Sequence, residues 1–290
     1  MCSSDLAEVV DRAPDGPYRL IKFTPEQLKE IRYAGLLHDF GKVGVREQVL
    51  VKAKKLYPHQ LALIKQRHAF VHRTFERDFW RGRAEFLEAH GKKGYEAHRR
   101  ELEAELQRQL KDLDRFLTVV LEANEPSLLP EASRNNLEEL ARRTYADQDG
   151  ELQPLLSEEE VRYLTIPKGS LDEQERQEIE SHVTHTYNFL QRIPWTRELQ
   201  QIPLIAYGHH EKMDGHGYPR RVTGDAIPIQ TRMMTISDIY DALTAQDRPY
   251  KKAVPRERAL DILTQEVKIG QLDTELFRLF VAAKVFEVEP

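Results

Sequence analysis

Two short segments, His38-Asp39-Phe40-Gly41-Lys42 and His209-His210-Glu211-Lys212-Met213-Asp214-Gly215-His216-Gly217-Tyr218-Pro219, hold the residue types from which a metal cluster facing a phosphate-binding loop can be built. Adjacent His-Asp and His-His pairs are costly in an ordinary core, because each buried imidazole or carboxylate has to find a partner for its polar atoms. A bound cation meets that need. Consecutive residues on a helix diverge in direction, so both members of a pair can be ligands only if the metals are spread out, on the order of the ~3.5–4 Å of two-metal hydrolytic sites. The pairs therefore point to a multinuclear centre. In the second segment, the freedom of Gly217 and the rigidity of Pro219 let main chain and the Tyr218 ring approach a ligand closely.

The elements that must position these residues are helical. Thr24-Pro25-Glu26-Gln27 predicts a helix start, with a threonine cap, proline at the first helical position and a glutamine placed for a capping box. Leu28, Ile31, Gly35 and Leu36-Leu37 carry that helix to His38-Asp39, with Gly41 expected to end it, so these ligands sit at a helix C-terminus. Asp172 with Glu175 predicts another capping box, and Ile179, His182, Val183, Thr186 and Leu190 form an inward stripe that includes His182. Ile229, Met233, Ile236, Tyr240 and Leu243 place Asp238 and Asp241 three apart on one helical face. Pro255 and Asp273 predict the starts of two last helices. No alternating strand pattern stands out, and the expected fold class is all-α.

With 290 residues the chain can bury one large core or two modest ones. A net charge of −5 argues against a nucleic-acid-binding surface, so no duplex nucleic acid is expected as partner. The single cysteine, Cys2, excludes an intrachain disulfide and fits a reducing, cytoplasmic setting. No apolar run reaches the ~20 residues of a bilayer span. Residues 1–6 resemble neither a signal peptide nor a structural segment and are set aside as a suspected artefact. Residues 59–166 stand apart. Leu102, Leu106, Leu113, Leu117 and Val120 predict a long amphipathic helix, and Phe75, Phe79 and Phe86 a second one before the break at Gly91-Lys92-Lys93-Gly94. The pair reads as an inserted helical hairpin without chemistry of its own, in which His59, His68, His72, His90 and His98 are solvated among charged neighbours.

Five segments, in this order, resemble the HD-GYP family of the HD metal-dependent phosphohydrolase superfamily: His38-Asp39 with Gly41-Lys42, Ser181-His182-Val183, His209-His210-Glu211, Asp214 to Pro219, and Ser237-Asp238-Ile239-Tyr240-Asp241-Ala242-Leu243 leading into Arg248-Pro249-Tyr250-Lys251. The resemblance covers residues 20–58 and 167–286. It implies an HD-superfamily helical bundle over residues 7–58 and 167–290, interrupted by the insertion at 59–166. It further implies hydrolysis of cyclic di-GMP to linear pGpG, and onward to GMP, through a metal-bridging hydroxide. Two or more divalent ions are expected, iron or manganese ahead of zinc, together with an upstream sensory domain and room for a homodimer.

Residue by residue, the resemblance makes His38, Asp39, His182, His209, His210 and Asp238 the metal ligands. Asp39 bridges, since its two oxygens can hold two ions, with His38 and Asp238 completing one metal and the other three histidines dominating the second. His185, on the same helix as His182, is the rival for that position. Lys42 is expected to act beside Asp39 in catalysis, reaching the scissile phosphate, although a plain cation at a helix C-terminus is the alternative. Gly217, Tyr218, Pro219, Arg248 and Lys251 are expected at the substrate, with surface solvation the alternative for the two basic residues; Asp241 either touches a guanine edge or orients a ligand. Two departures from the family stand out. His216 occupies a position where many members carry a small hydroxyl residue, and no histidine precedes His38, whereas members with a complete site carry one on a preceding helix. Leu6 to Val10 resembles the tail of that helix, so the N-terminal helix is expected to be truncated. A broader HD phosphohydrolase acting on nucleotide monoesters, and a silent module that binds cyclic dinucleotides or a partner protein, remain as other readings.

Overall fold

The computed structural model describes residues 2–245 and 253–287. It divides into two compact units: a split unit of Met1–Val51 with Gln174–Pro290, and a middle unit of Lys52–Glu173, wider on both sides than the 59–166 segment set apart by composition. Before the division point the chain forms α1 (Cys2–Asp11), α2 (Pro25–Leu37) and the single turn α3 (Glu47–Leu50). The middle unit holds α4 (Pro58–His90), α5 (Tyr95–Ala123), α6 (Glu131–Ala141), β1 (Thr144–Ala146), β2 (Leu152–Pro154) and α7 (Glu158–Leu164). There follow α8 (Glu173–Glu180), α9 (His182–Leu190), α10 (Ile202–Tyr207), α11 (Ile229–Thr244), α12 (Arg256–Lys268) and α13 (Thr274–Ala282). The fold is all-α, and no helix among the described residues is long and apolar enough to cross a membrane.

Local chemistry sets the helix starts. Thr24 Oγ1 accepts the Gln27 amide at 3.2 Å while the Gln27 side chain accepts the Thr24 amide at 2.9 Å, closing the capping box of α2. Asp273 caps α13 by accepting from the amides of Glu275 and Leu276. The core of the split unit joins Ile31 of α2, Met233, Ile236 and Tyr240 of α11, Leu263 of α12, and Leu276 and Phe280 of α13. Leu6, Ala7 and Val10 of α1 complete it, each 0% exposed. Full burial of a side chain such as Leu6 contributes about 1.5–3 kcal/mol; the stretch from Cys2, expected to carry no structure, is helical and belongs to α1, with Leu6 in its apolar stripe. A second cluster of Ala34, Leu190, Ile202, Ile205, Ala206 and Met234 locks α2, α9, α10 and α11 around the histidine-bearing helix ends.

Three details depart from the sequence reading. The α2 helix ends at Leu37, ahead of Gly41, and Phe40–Gly44 continues as a 3-10 turn. Thr186 of α9 diverts the chain, its hydroxyl donating to the His38 carbonyl (2.9 Å) and accepting the Gly41 amide (2.8 Å). A side chain at Gly41 would run into the His182 carbonyl and come within 2.6 Å of the Thr186 amide nitrogen, so this glycine serves close approach of two backbones. Leu36 is 66% exposed and points away from the core. In the middle unit β1 and β2 pair antiparallel across Asp147–Gly150, where the Asp147 carboxylate accepts the amides of Asp149 and Glu151 at 3.0 Å. Strands of three residues are too short to show alternation, and turn chemistry decides the pairing.

The hairpin of α4 and α5 is anchored at one end only. Ile64 and Val71 of α4 and Leu113, Phe116 and Val120 of α5 are buried with Leu137, Leu155 and Leu164, yet between Val71 and Leu113 no residue is buried.

Candidate metal centre

Three histidines reach the centre from helix ends. The last carbonyls of a helix lack intrahelical donors, and each of these imidazoles donates Nδ1–H to one of them: His38 to Gly35 (2.7 Å), His182 to Ile179 (2.6 Å) and His209 to Ala206 (2.6 Å). Because a carbonyl can only accept, Nδ1 carries the proton and Nε2 turns toward the centre, the orientation in which imidazole binds a metal. The backbone of His209 is held in turn by Thr235, whose hydroxyl donates to its carbonyl at 2.9 Å.

The Nε2 atoms of His182 and His209 lie 3.4 Å apart. Asp39 Oδ1 is 3.3 Å from the first and 4.0 Å from the second, and Asp39 Oδ2 is 3.5 Å from His38 Nε2. His38 Nε2 also meets Asp238 Oδ1 at 3.3 Å. One ligand atom from each of His182, His209 and His210 falls within 4.8 Å of the others, as do those of His38, Asp39 and His209. His209 thus stands in both sets, where the sequence reading gave it to one.

These residues fit a divalent cation on two grounds. Two buried imidazole nitrogens facing each other with lone pairs repel unless something positive lies between them, and Asp39 Oδ1 is buried with no hydrogen-bond donor. Electrostatics agree. Burial, reinforced by its histidine neighbours, drives His209 well below the ordinary imidazole range and His210 down to about 4, so both stay neutral. Burial also depresses His38, but the hydrogen bond to Asp238 and the charge of Asp39 outweigh it and raise the group, so a proton gathers where a cation would sit. For Asp39 burial pulls upward, while His182, His38 and Lys42 hold it far below the carboxylate range. Asp238 is likewise brought down to about 2, against its burial, chiefly by His38.

Lys42 places Nζ 2.5 Å from Asp39 Oδ2 with its side chain 37% exposed, at the solvent side of the cluster. A cavity of about 260 Å³ opens beside His38, Asp39 and Asp238 and is lined also by Asp241, Ser3 and Ser237. The Ser237 hydroxyl is buried without a partner there. On the other side, the Tyr218 ring lies 4.7 Å from that of His210, and burial raises its phenol above the ordinary range, so it remains protonated. Gly217 permits this approach: a Cβ there would stand 2.5 Å from the His210 carbonyl and 2.6 Å from Glu211 Cα.

Glu211 holds the loop in shape. It is 2% exposed, and its two oxygens accept the amides of Arg220 (2.7 Å) and Val222 (3.1 Å). Neither this role nor those of Thr186 and Thr235 was assigned from sequence; a carboxylate directly after the His-His pair was the available signal for Glu211. The structure brings His38, Asp39, Lys42, His182, His209, His210, Asp238, Tyr218 and Asp241 to one place. It leaves His185 exposed beside Gly44 and Ser181, and turns His216 outward, 82% exposed and 3.4 Å from Asp214. Arg248 and Lys251 lie outside the described residues.

Residues 159–276 match the family model described as HD domain, a span that includes His182, His209, His210 and Asp238. Residues 159–276 thus carry an HD domain, on an all-helical scaffold that gathers histidines and a carboxylate able to hold a metal. Beyond that match, the chain is similar to curated cyclic-dinucleotide phosphodiesterases. It is 40% identical over 109 residues to the 3′3′-cGAMP-specific phosphodiesterase 3 of Vibrio cholerae, covering 38% of this chain and 23% of that protein. It is 36% identical over 126 residues to the cyclic di-GMP phosphodiesterase response regulator RpfG of Xanthomonas campestris, covering 37% and 33%. To a cyclic di-GMP phosphodiesterase of Thermotoga maritima it is 34% identical over 96 residues, covering 33% and 26%. The chain thus spans only a quarter to a third of the length of these curated relatives.

Proposed function

We propose that this chain is the catalytic part of a metal-dependent phosphodiesterase that opens cyclic dinucleotides, cyclic di-GMP first among them, to the linear dinucleotide and onward to the mononucleotide. The observation that carries the reading is the convergence of His38, His182 and His209 Nε2 atoms on Asp39, with Lys42 at its outer edge. His38, Asp39, His182, His209, His210 and Asp238 would hold two or more divalent ions, with iron and manganese suited to this mixed imidazole and carboxylate set. Such ions supply Lewis acidity and an activated water at neutral pH. The protein's own residues do the rest. Lys42, free to swing from Asp39 to an incoming phosphate, stabilises charge on the phosphoryl oxygens. Tyr218, Gly217 and Pro219 form a wall against which the dinucleotide rests, and Glu211 keeps that wall in register. Arg248 and Lys251 are proposed as phosphate contacts and Asp241 as a contact for a base edge.

A second substrate, 3′3′-cGAMP, is favoured by the names of three relatives. Turnover of cyclic di-GMP, 3′3′-cGAMP and p-nitrophenyl phosphate by the metal-loaded protein tests the reading. Preference for either cyclic dinucleotide supports it; fastest cleavage of the monoester overturns it in favour of a broader phosphohydrolase. Tight binding of cyclic di-GMP without cleavage by fully loaded protein would make the chain a silent binding module.

A further inference from the structure

A cavity in the middle unit is lined by none of the residues assigned above. About 610 Å³ of space is enclosed by α4, α5 and the β1–β2 hairpin, inside the ~300–1,000 Å³ range of small-molecule sites. Its floor is apolar: Val71, Leu113, Phe116 and Leu155 are each at most 5% exposed. Phe75 and Tyr145 supply aromatic walls. Polar groups are confined to the rim and are unequal in their commitments. Asp78 is already paired with Arg77 (2.8 Å) and Arg81 (3.6 Å). Arg142 and Arg143, on the opposite rim, have no acidic partner among the described residues, and Asp112 has no basic one. Two uncommitted guanidinium groups against one uncommitted carboxylate leave a single positive charge at the edge of an apolar chamber.

We infer that this cavity binds a small amphipathic monoanion, an aromatic or aliphatic body seated on the Phe116 floor with one carboxylate or sulfonate group held at Arg142 and Arg143. Guanidinium forks suit planar oxyanions, and an apolar body that displaces water from the floor supplies the larger share of affinity. The sequence reading gave this unit no chemistry; the structure gives it a ligand site that stands whether or not the chain is a phosphodiesterase.

The test uses the full chain and two fluorescent probes of the same shape, anilinonaphthalene sulfonate and its neutral counterpart N-phenylnaphthylamine. Both should bind at one site per chain. The double variant Arg142→Gln with Arg143→Gln should weaken the sulfonate roughly tenfold or more, the scale of losing charge-assisted hydrogen bonds, and leave the neutral probe within about twofold. Filling the chamber with Thr74→Trp should abolish binding of both; where that variant does not melt cooperatively, Ala146→Trp on the other wall takes its place. Decanoate should displace the sulfonate and decanol should not. Retention of both probes in a folded cavity-filled variant overturns the site, and unchanged sulfonate affinity in the arginine double variant overturns the anionic assignment.

Discussion

Histidines meet two fates in this molecule, and helix position separates them. His38, His182 and His209 in the split unit stand where helices end, so each finds an unused carbonyl three residues back that takes its Nδ1 proton and aims Nε2 inward. His68 and His72 in the middle unit have the four-residue spacing of many metal-binding pairs, yet they lie inside α4, where the backbone ladder uses those carbonyls. Their rings turn instead to surface acids, Asp114 at 3.2 Å and Glu76 at 3.8 Å. Spacing alone therefore does not make a ligand. An end of a helix, with its free acceptors, fixes the tautomer that coordination needs.

The sharpest way to break this contrast is to remove its hub. Asp39→Ala should lose bound metal and turnover together, while the paired change His68→Ala and His72→Ala leaves metal content untouched; elemental analysis of anaerobically prepared proteins reads both. Equal metal in Asp39→Ala and the unmodified chain would deny Asp39 its central place. Lys42→Ala should keep its metal and lose about 10²-fold in catalytic rate, the scale of one oriented charge stabiliser. Metal loss in that variant would make Lys42 part of the cluster's frame.

Smaller effects test the supports. Thr186→Val keeps the volume of the side chain but leaves the Gly41 amide and His38 carbonyl without their shared partner, so thermal unfolding should show a loss of about 1–3 kcal/mol and metal affinity should drop with it. The middle unit holds its buried charge differently. Lys55 is 0% exposed and its Nζ has one carbonyl, that of Leu164, at 3.4 Å. Burial lowers its pKa, so the folded chain gives up the proton first and the unfolded chain keeps it up to the ordinary lysine value of ~10.4. The penalty for the charge is therefore fully present below the folded value and relieved as pH rises. Lys55→Met should stabilise by about 1 kcal/mol at pH ~7 and by less near pH ~10, measured by denaturant melts. An advantage that grows with pH would contradict the assignment.

How much could be read beforehand follows the same physics. The capped start of α2 and the grouping of the histidines and aspartates depend on local chemistry and were legible: Thr24, Pro25 and Gln27 form the box their spacing predicts, and His38, Asp39, His182, His209, His210 and Asp238 come together in space. What escaped depends on one segment touching another far along the chain. Thr186 looked like another residue of an inward stripe, although it binds the loop after α2; Gly41 looked like a helix terminator, although it makes space for the His182 backbone. Leu6 fell in a stretch set aside as a suspected artefact, and only packing against α11 and α13 shows its place. The β1–β2 pair and the chamber above Phe116 needed the path of the chain between α6 and α7, which no periodicity encodes.

The distal hairpin, in which nothing between Val71 and Leu113 is buried, has a consequence for how the chain breathes. Its amides are held by helical hydrogen bonds with little tertiary packing behind them, so they can open a few turns at a time without disturbing the packed base at Ile64 and Val120. In deuterium the middle of α4 and the start of α5 should therefore exchange through these partial openings, long before amides near Val183 or Met233, which wait for the whole split unit to come apart.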